Sequence, residues 1–410
     1  MIRRLSFKQF LFLVPLFVFL GIFSVYPIVA SVLYSFFDYK TNNQQLNGFY
    51  MSEQLNETLF AEDCGYVSYF IASDKTIEGL SDEDVAEFEA IAAETEEMQA
   101  QYADATGTVK VSSSEMEEVE AFIADISERL TTVYENNSDL EFYNAENIQT
   151  ILAEMETCIV ESNFHGLSGY ATLLQDSRFW KALGHTVVFT VISVACELVL
   201  GLALAMIMNM AIKGIGLVRT TGLIPWAIPT AVSATIWGFL YDGSYGVVSK
   251  IFTVLHIIPK QSAMLLTSNG AMASAIIADV WKTTPYMALL LLAGLQVIDK
   301  SLYESAALDG ATPVQTFFRI TMPLLKPSLV VALLFRTMDG FRVYDLIAIL
   351  TGGGPANGTE TLSVYAYKLM FSQSNYGYGS VVVIAMAICI FLIALAFIKL
   401  LGAQLISNDD

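Results

Sequence analysis

The sequence predicts an all-α polytopic membrane protein: six transmembrane helices, with a helix-rich (α or α+β) extracytoplasmic insert between helices 1 and 2. Three observations carry this. The 410-residue chain is 54% hydrophobic with a mean hydropathy of +0.53, too apolar for an ordinary soluble protein. Six runs, 10–37, 182–211, 217–240, 271–297, 328–350 and 378–401, reach the roughly 20 residues that a bilayer core demands. Charge is segregated: residues 38–178 hold 30 Asp/Glu against 5 Lys/Arg, while the remainder carries a net +5. The overall charge of −20 therefore describes an acidic soluble insert in a mildly basic membrane protein. With no clustered basic face, nucleic-acid binding is excluded as a reading.

Each run is expected to be a helix, because lipid offers no partner to an unpaired backbone group. Strand alternation of a barrel type is absent. The first run begins with Arg3, Arg4 and Lys8, as a signal peptide would. Its apolar stretch exceeds the usual 7–15 residues or so and no small-residue cleavage site follows, so a retained anchor is expected. Lys213 and Arg219 lie between runs two and three; Lys300, Arg319 and Lys326 lie between runs four and five. With alternating helices these groups share one side with the N-terminus, and the excess of Lys/Arg makes that side cytoplasmic. Both termini are then inside. The divisions that follow are 1–37 (N-terminus and helix 1), 38–178 (insert), 179–402 (five-helix core) and 403–410 (tail).

Within the insert, Ser81 with Asp84 three residues on precedes Val85, Phe88, Ile91 and Ala92 at helical spacing; this is the pattern of a capped amphipathic helix. Ser114 with Glu117 is expected to cap a second helix carrying Val119, Phe122, Ile123, Ile126 and Leu130. A third helix is expected from Ala145, and 66–72 and 108–111 read as short strands. The stripes serve either a helix-rich domain with solvated acidic faces or a docking surface; charge alone leaves both open. Cys64 and Cys158 share the insert on the oxidising side, where a disulfide is one alternative and two free thiols the other. Cys196 and Cys389 fall in membrane runs as core residues. Three scattered histidines form no metal cluster with cysteine, and no phosphate-cradling glycine-lysine motif occurs. The "TGGGP" stretch reads as a turn.

Between runs four and five lies the polar segment 303–327, "YESAALDGATPVQTFFRITMPLLKP". A short helix from Glu304 to Asp309 should break at Gly310. Thr312 and Pro313 should start a second, and Pro323 and Pro327 should end it before the next membrane run. Ala306, Ala307, Phe317, Phe318 and Ile320 give this elbow apolar faces that call for a protein partner.

This segment resembles the EAA loop of ABC importer permeases. Ser305 stands in place of the middle alanine, and Met322 in place of the leucine before Pro323. The resemblance implies that Glu304, Ser305, Ala306, Asp309, Gly310, Ile320 and Pro323 couple the chain to an ATPase subunit. Glu304 would be the ion-pair position and Gly310 the turn. The first run, the stretch 164–190 (with His185 where the family often has Asn), "PWAIPTAVSATIWGFLYDGSYGVV" and "DGFRVYDLIAILTGGGP" are similar to the sugar branch of that family, as represented by the larger membrane subunit of maltose- and trehalose-type importers. The implied assembly has two ATP-binding subunits, a second permease subunit and an extracytoplasmic sugar-binding protein that the insert would help to hold. ATP and Mg would belong to the partner subunits, with no catalytic residue, metal or cofactor in this chain. A bacterial or archaeal cell membrane is implied as the location, and a disaccharide or α-glucoside as the cargo.

Charges inside membrane helices are costly and functional by default. Arg336, Asp339, Arg342 and Asp345 recur every third residue, so neighbours can pair along one side of a helix. They serve either as a structural ion-pair ladder or as a sugar site. Placing the maltose-type sugar contacts on this sequence through the EAA loop implies a pocket from Lys282, Thr283, Tyr286, Arg336, Asp339, Gly340 and Val343. Trp281, Phe341 and Tyr344 could stack on sugar faces or simply pack. Two alternatives remain open: an ABC permease for a non-sugar solute, and an ion-driven secondary transporter. The latter fits poorly, since no internal repeat is present.

Overall fold

A computed structural model describes residues 7–104, 106–210 and 213–407. Arg3, Arg4 and the last three residues lie outside the described residues, as does the side chain of Lys8. Contacts divide the chain into one unit formed by 1–35 with 167–410 and a second formed by 36–166. The second is shorter than the acidic stretch 38–178, because Leu173 packs with Phe179, Leu362 and Val381 in the first.

The first unit is helical. Among the described residues, five helices are long and apolar enough to cross a membrane: Phe12–Tyr34, Ser177–Asn209, Ser268–Val297, Pro313–Phe341 and Tyr376–Lys399. The third predicted run is instead a bent pair, Ile215–Ala227 and Thr230–Leu240, turned by 89°. The cause is local. Pro229 disfavours helical geometry at the residue before it, and Ile228 sits extended at φ −72, ψ 131. Helix 177–209 starts on Asp176, whose carboxylate accepts from the Arg178 amide at 2.8 Å. It packs along helix 268–297 through Gly201, where an added Cβ would come within 2.7 Å of Met287. Small residues permit this close approach, and dispersion then holds the pair. Gly294 does the same against Ser328 of helix 313–341. Cys196 is exposed on the outer surface of its helix, a correction to its reading as core; Cys389 is half-buried.

Two prolines behave differently from expectation. Pro323 and Pro327 do not end a helix. The helix entered at Pro313 runs unbroken into the membrane span to Phe341, through a π-helical turn at Phe317–Thr321. That turn ends two residues before Pro323 and shifts the hydrogen-bond register where the proline supplies no donor.

The second unit holds four long helices, Glu57–Asp74, Asp82–Gln101, Ser113–Asn136 and Ala145–Thr157. They surround a core that includes Phe60, Val67, Ile71, Phe88, Ile91, Ile126 and Leu130. Three short strands form an antiparallel sheet in the order β2-β1-β3: β1 Gln54–Asn56, β2 Thr108–Val109 and β3 Ile159–Val160. The Ser81 cap forms as expected, accepting from the Asp84 amide at 3.1 Å. The second cap is Ser112, which accepts from Glu115, not Ser114. Residues 66–72 are helical rather than a strand, because Val67 and Ile71 continue a 3.6-residue stripe begun at Phe60 and Cys64.

Cys64 and Cys158 are buried free thiols, so no disulfide joins them. The Cys158 thiol donates to Asp63 at 3.5 Å. Burial, with help from Glu154 and Glu62, raises the Asp63 carboxyl to about 7 against the partial opposition of that thiol bond. The folded insert therefore keeps a proton that the unfolded chain releases near 3.8. Asp63 thus contributes stability that is fully present below that value, declines as pH rises toward 7 and is lost above, a change of up to about 4 kcal/mol. In the full chain, Asp63→Asn should remove this fall. Amide exchange of 54–74 at pH 5 and pH 8 reads it; an unchanged pH dependence in the variant would contradict the assignment.

Candidate functional site

A polar cavity of about 340 Å³ opens beside the break in the bent pair. Three other elements complete it: helix 268–297, the end of helix 313–341 and the short helix Asp345–Leu350. The bend supplies Trp226 and Thr230 to its wall. It also leaves the Trp226 carbonyl without a helical partner, and the Lys282 amine lies 3.5 Å from that oxygen. Irregular backbone at membrane depth is tolerated where it lines such a cavity.

Arg336 organises the floor. It is 1% exposed. Its Nη2 donates to Glu197 at 2.9 Å, its Nε donates to the other Glu197 oxygen, and Nη2 also reaches Asp279. These three residues come from three different helices, 177–209, 268–297 and 313–341. Thr283 donates to Glu197 at 2.7 Å. Arg336 Nη1 faces Asp339 at 3.5 Å, and Arg342 meets the other Asp339 oxygen at 3.3 Å. Asp339, half exposed, presents its carboxylate to the cavity.

Of the seven predicted pocket residues, Lys282, Thr283, Arg336, Asp339 and Val343 line one cavity. Tyr286 does not; its ring stacks on Trp226 at 5.8 Å, behind the wall. Gly340 does not either. It is buried against helix 177–209, where a Cβ would lie 3.3 Å from Thr190. The expected charge ladder stops early, because the helix ends at Phe341 and Arg342 caps it at φ −101, ψ 19. Asp345 instead begins the next helix. Among the expected stacking rings, Tyr344 lines the cavity, Trp281 packs edge-on to Trp237, and Phe341 is buried in the core. Glu197 and Asp279 were not singled out from the sequence, although each is a lone carboxylate in an apolar run. The rule that marked Arg336 marks them equally.

At the opposite end of helix 268–297, the elbow forms as a helix Lys300–Leu308, a turn, and the start of helix 313–341. Gly310 takes φ +76. The Ala311 amide donates to the Ala306 carbonyl at 2.9 Å and the Gly310 amide to Ala307 at 3.1 Å, which closes the helix end around a left-handed glycine. Thr312 and Gln315 form a reciprocal capping box. Tyr303 and Thr321 hydroxyls, 3.2 Å apart, tie the two arms together. Glu304, Ser305, Asp309 and Pro323 are exposed, Ile320 is half-buried and Ala306 is buried. Leu308, Val314 and Phe318 project at 89%, 66% and 64% exposure, and a cleft of about 370 Å³ opens between Met206, Tyr303, Ala307 and Phe317.

The glycine-rich loop after Leu350 is a turn, with positive φ at Gly352, Gly353, Ala356 and Asn357. It delivers Glu360, 1% exposed, to Arg178 at 2.8 and 2.9 Å and to Lys368 at 2.8 Å.

Residues 178–406 match the family model described as binding-protein-dependent transport system inner membrane component. The trehalose/maltose transport system permease protein MalF of Thermococcus litoralis is 45% identical over 59% of this chain and 79% of its own length. The trehalose transport system permease protein SugA of Mycobacterium tuberculosis is 41% identical over 59% of this chain and 76% of its own. Among solved structures, a bacterial ABC transporter involved in the import of the acidic polysaccharide alginate has a similar fold. It has a TM-score of 0.53, 24% identity, and coverage of 58% of this chain and 84% of that one.

Proposed function

We propose that this chain, which belongs to the binding-protein-dependent transport system inner membrane component family, is the membrane subunit of an ATP-driven importer for a disaccharide-sized carbohydrate. The observation that carries the reading is the cavity beside the broken helix. Its wall offers carboxylate acceptors, guanidinium and ammonium donors and two aromatic faces, from Trp226 and Tyr344. That combination suits a molecule rich in hydroxyls, and the names of the two relatives support a sugar cargo.

Six spans follow if the bent pair crosses the membrane once. The elbow end collects Arg219, which holds the Met208 carbonyl at 2.7 Å, with Lys300, Arg319 and Lys326. This supports a cytoplasmic elbow and an extracytoplasmic insert. ATP and Mg would be bound by two partner subunits seated on the exposed face of the elbow. A second permease subunit and a sugar-binding protein would complete the assembly. Closure of the ATPases would move the elbow, and the unbroken helix 313–341 would pass that movement to Arg336 and Asp339.

The test is purification of the chain from its native membrane in mild detergent, followed by ATP hydrolysis assays with trehalose, maltose and other disaccharides. Co-purified ATPase subunits whose hydrolysis rises with one of these sugars support the reading. The absence of any ATPase partner across several detergents would refute it. Asp339→Ala should raise the KM of uptake about tenfold, since a lost charged hydrogen bond costs roughly 1.5–3 kcal/mol. Unchanged uptake kinetics would remove Asp339 from the cargo site.

A further inference from the structure

The cavity wall presents three acidic and three basic side chains, Asp279, Asp339 and Asp345 against Lys282, Arg336 and Arg342. Glu197 stands behind Arg336 with 0% exposure. We infer that Glu197 and Asp279 are specificity-determining residues: by occupying the Arg336 guanidinium they make the cavity accept uncharged saccharides and reject anionic ones. The inference rests on the transport reading above and adds a substrate class to it.

A guanidinium facing a cavity is ordinarily the best receptor for a carboxylate or phosphate, because its fork binds two oxygens at once. Here the fork is already filled. Nε and Nη2 are taken by Glu197 and Asp279, and Nη1 is aimed at Asp339. Two ionised acids on one arginine leave the trio net negative, and replacing either acid by its amide brings it to neutrality. The other two cations face acids as well: Arg342 meets Asp339 at 3.3 Å, and Lys282, whose amine lies 3.5 Å from the Trp226 carbonyl, shares the wall with Asp279 and Asp339. An anionic sugar would meet carboxylates at short range in a poorly hydrated site, where like charges repel strongly. A neutral sugar meets the same groups as hydrogen-bond partners. A purely structural role would not require this stoichiometry, since an apolar trio can pack three helices equally well.

The experiment uses the purified complex of this chain with its partner subunits, without the binding protein, so that the membrane site alone is read. Competition against labelled trehalose is measured with unlabelled trehalose and with a glucuronic-acid-containing disaccharide. The wild type should bind the acidic competitor at least a hundredfold more weakly than trehalose. Glu197→Gln and Asp279→Asn each leave one carboxylate on Arg336, so the site remains paired. Each should narrow that ratio at least tenfold, while Glu197→Asp should keep the wild-type ratio. Changes in yield or maximal binding at a constant ratio would mark a merely structural role and overturn the inference. So would equal binding of both competitors by the wild type, which decides the matter even if neither variant assembles. No saccharide binding by the wild-type complex would overturn the transport reading together with this one, whereas an unchanged ratio overturns this one alone.

Discussion

Glu304→Lys should abolish most sugar uptake while leaving the chain folded in its membrane. The side chain is exposed on the helix Lys300–Leu308, and exposed substitutions usually move stability by no more than about 0.5 kcal/mol. The proposed effect is on a partner. Beside Glu304 the elbow projects Leu308, Val314 and Phe318 into solvent, an apolar patch with a charged rim of the kind that seats another protein. Reversing the rim charge would turn the proposed attraction for an ATPase subunit into a repulsion. Coupling energies between sites are typically 1–3 kcal/mol, so uptake should fall on the order of tenfold to a hundredfold. ATP hydrolysis by the partner subunits should persist at its unstimulated rate and lose its rise with sugar. Uptake and hydrolysis measured in the same vesicles decide this. Full uptake by the variant would show that the elbow does not carry the ATPase signal through Glu304.

Much of this was legible in the sequence because it is local. Gly310, Thr312 and Pro313 specify a turn and a cap through their own backbone preferences, and the elbow formed on those residues. Five of the six runs fall on long apolar helices, although the third run is a bent pair and the helix of the fifth is Pro313–Phe341 rather than 328–350; the stripes of Phe88, Ile91, Ile126 and Leu130 located the core of the insert. What the sequence hid depends on partners distant along the chain. Pro323 looked like a helix terminator, but a π-turn next to it carries the helix through. Pro229 lay inside an apolar run and broke it, with Ile228 extended before it. Within 66–72 the β-branched and aromatic composition suggested a strand, and burial of Val67 and Ile71 beside Phe60 made it helix. Five of the residues that the resemblance implied for a pocket line one cavity, and the i, i+3 spacing of Arg336 and Asp339 keeps that pair on one face of its helix. Glu197 and Asp279 stand in the sequence as lone carboxylates in apolar runs, marked by the same rule as Arg336; what the sequence hides is their shared partner, which appears only when three helices meet at one guanidinium.

Arg336→Met should be the most damaging single substitution in the membrane unit. Arg336 is the largest of the fully buried side chains among the described residues, and two carboxylates depend on it. Glu197 is 0% exposed and Asp279 is 6% exposed. Glu197 has otherwise the Thr283 hydroxyl. Removing one member of a buried ion network strands the others, at a cost of about 3–5 kcal/mol. For a unit of this size that corresponds to a fall on the order of 10 °C in the unfolding midpoint. Methionine keeps most of the volume, so cavity formation contributes little and the loss reports the stranded charge. The companion variant separates that from packing. Replacing all three members together, Glu197→Leu, Asp279→Leu and Arg336→Met, removes every stranded charge and should recover most of the midpoint, because apolar residues of similar volume pack such a site without the desolvation penalty. Saccharide binding should not return with it, since Asp279 and Arg336 are lost from the cavity wall and Asp339 loses its Arg336 partner. Thermal unfolding followed in detergent, beside the binding assay, distinguishes the two. A triple variant as unstable as Arg336→Met would mean that shape, rather than charge balance, holds helices 177–209, 268–297 and 313–341 together.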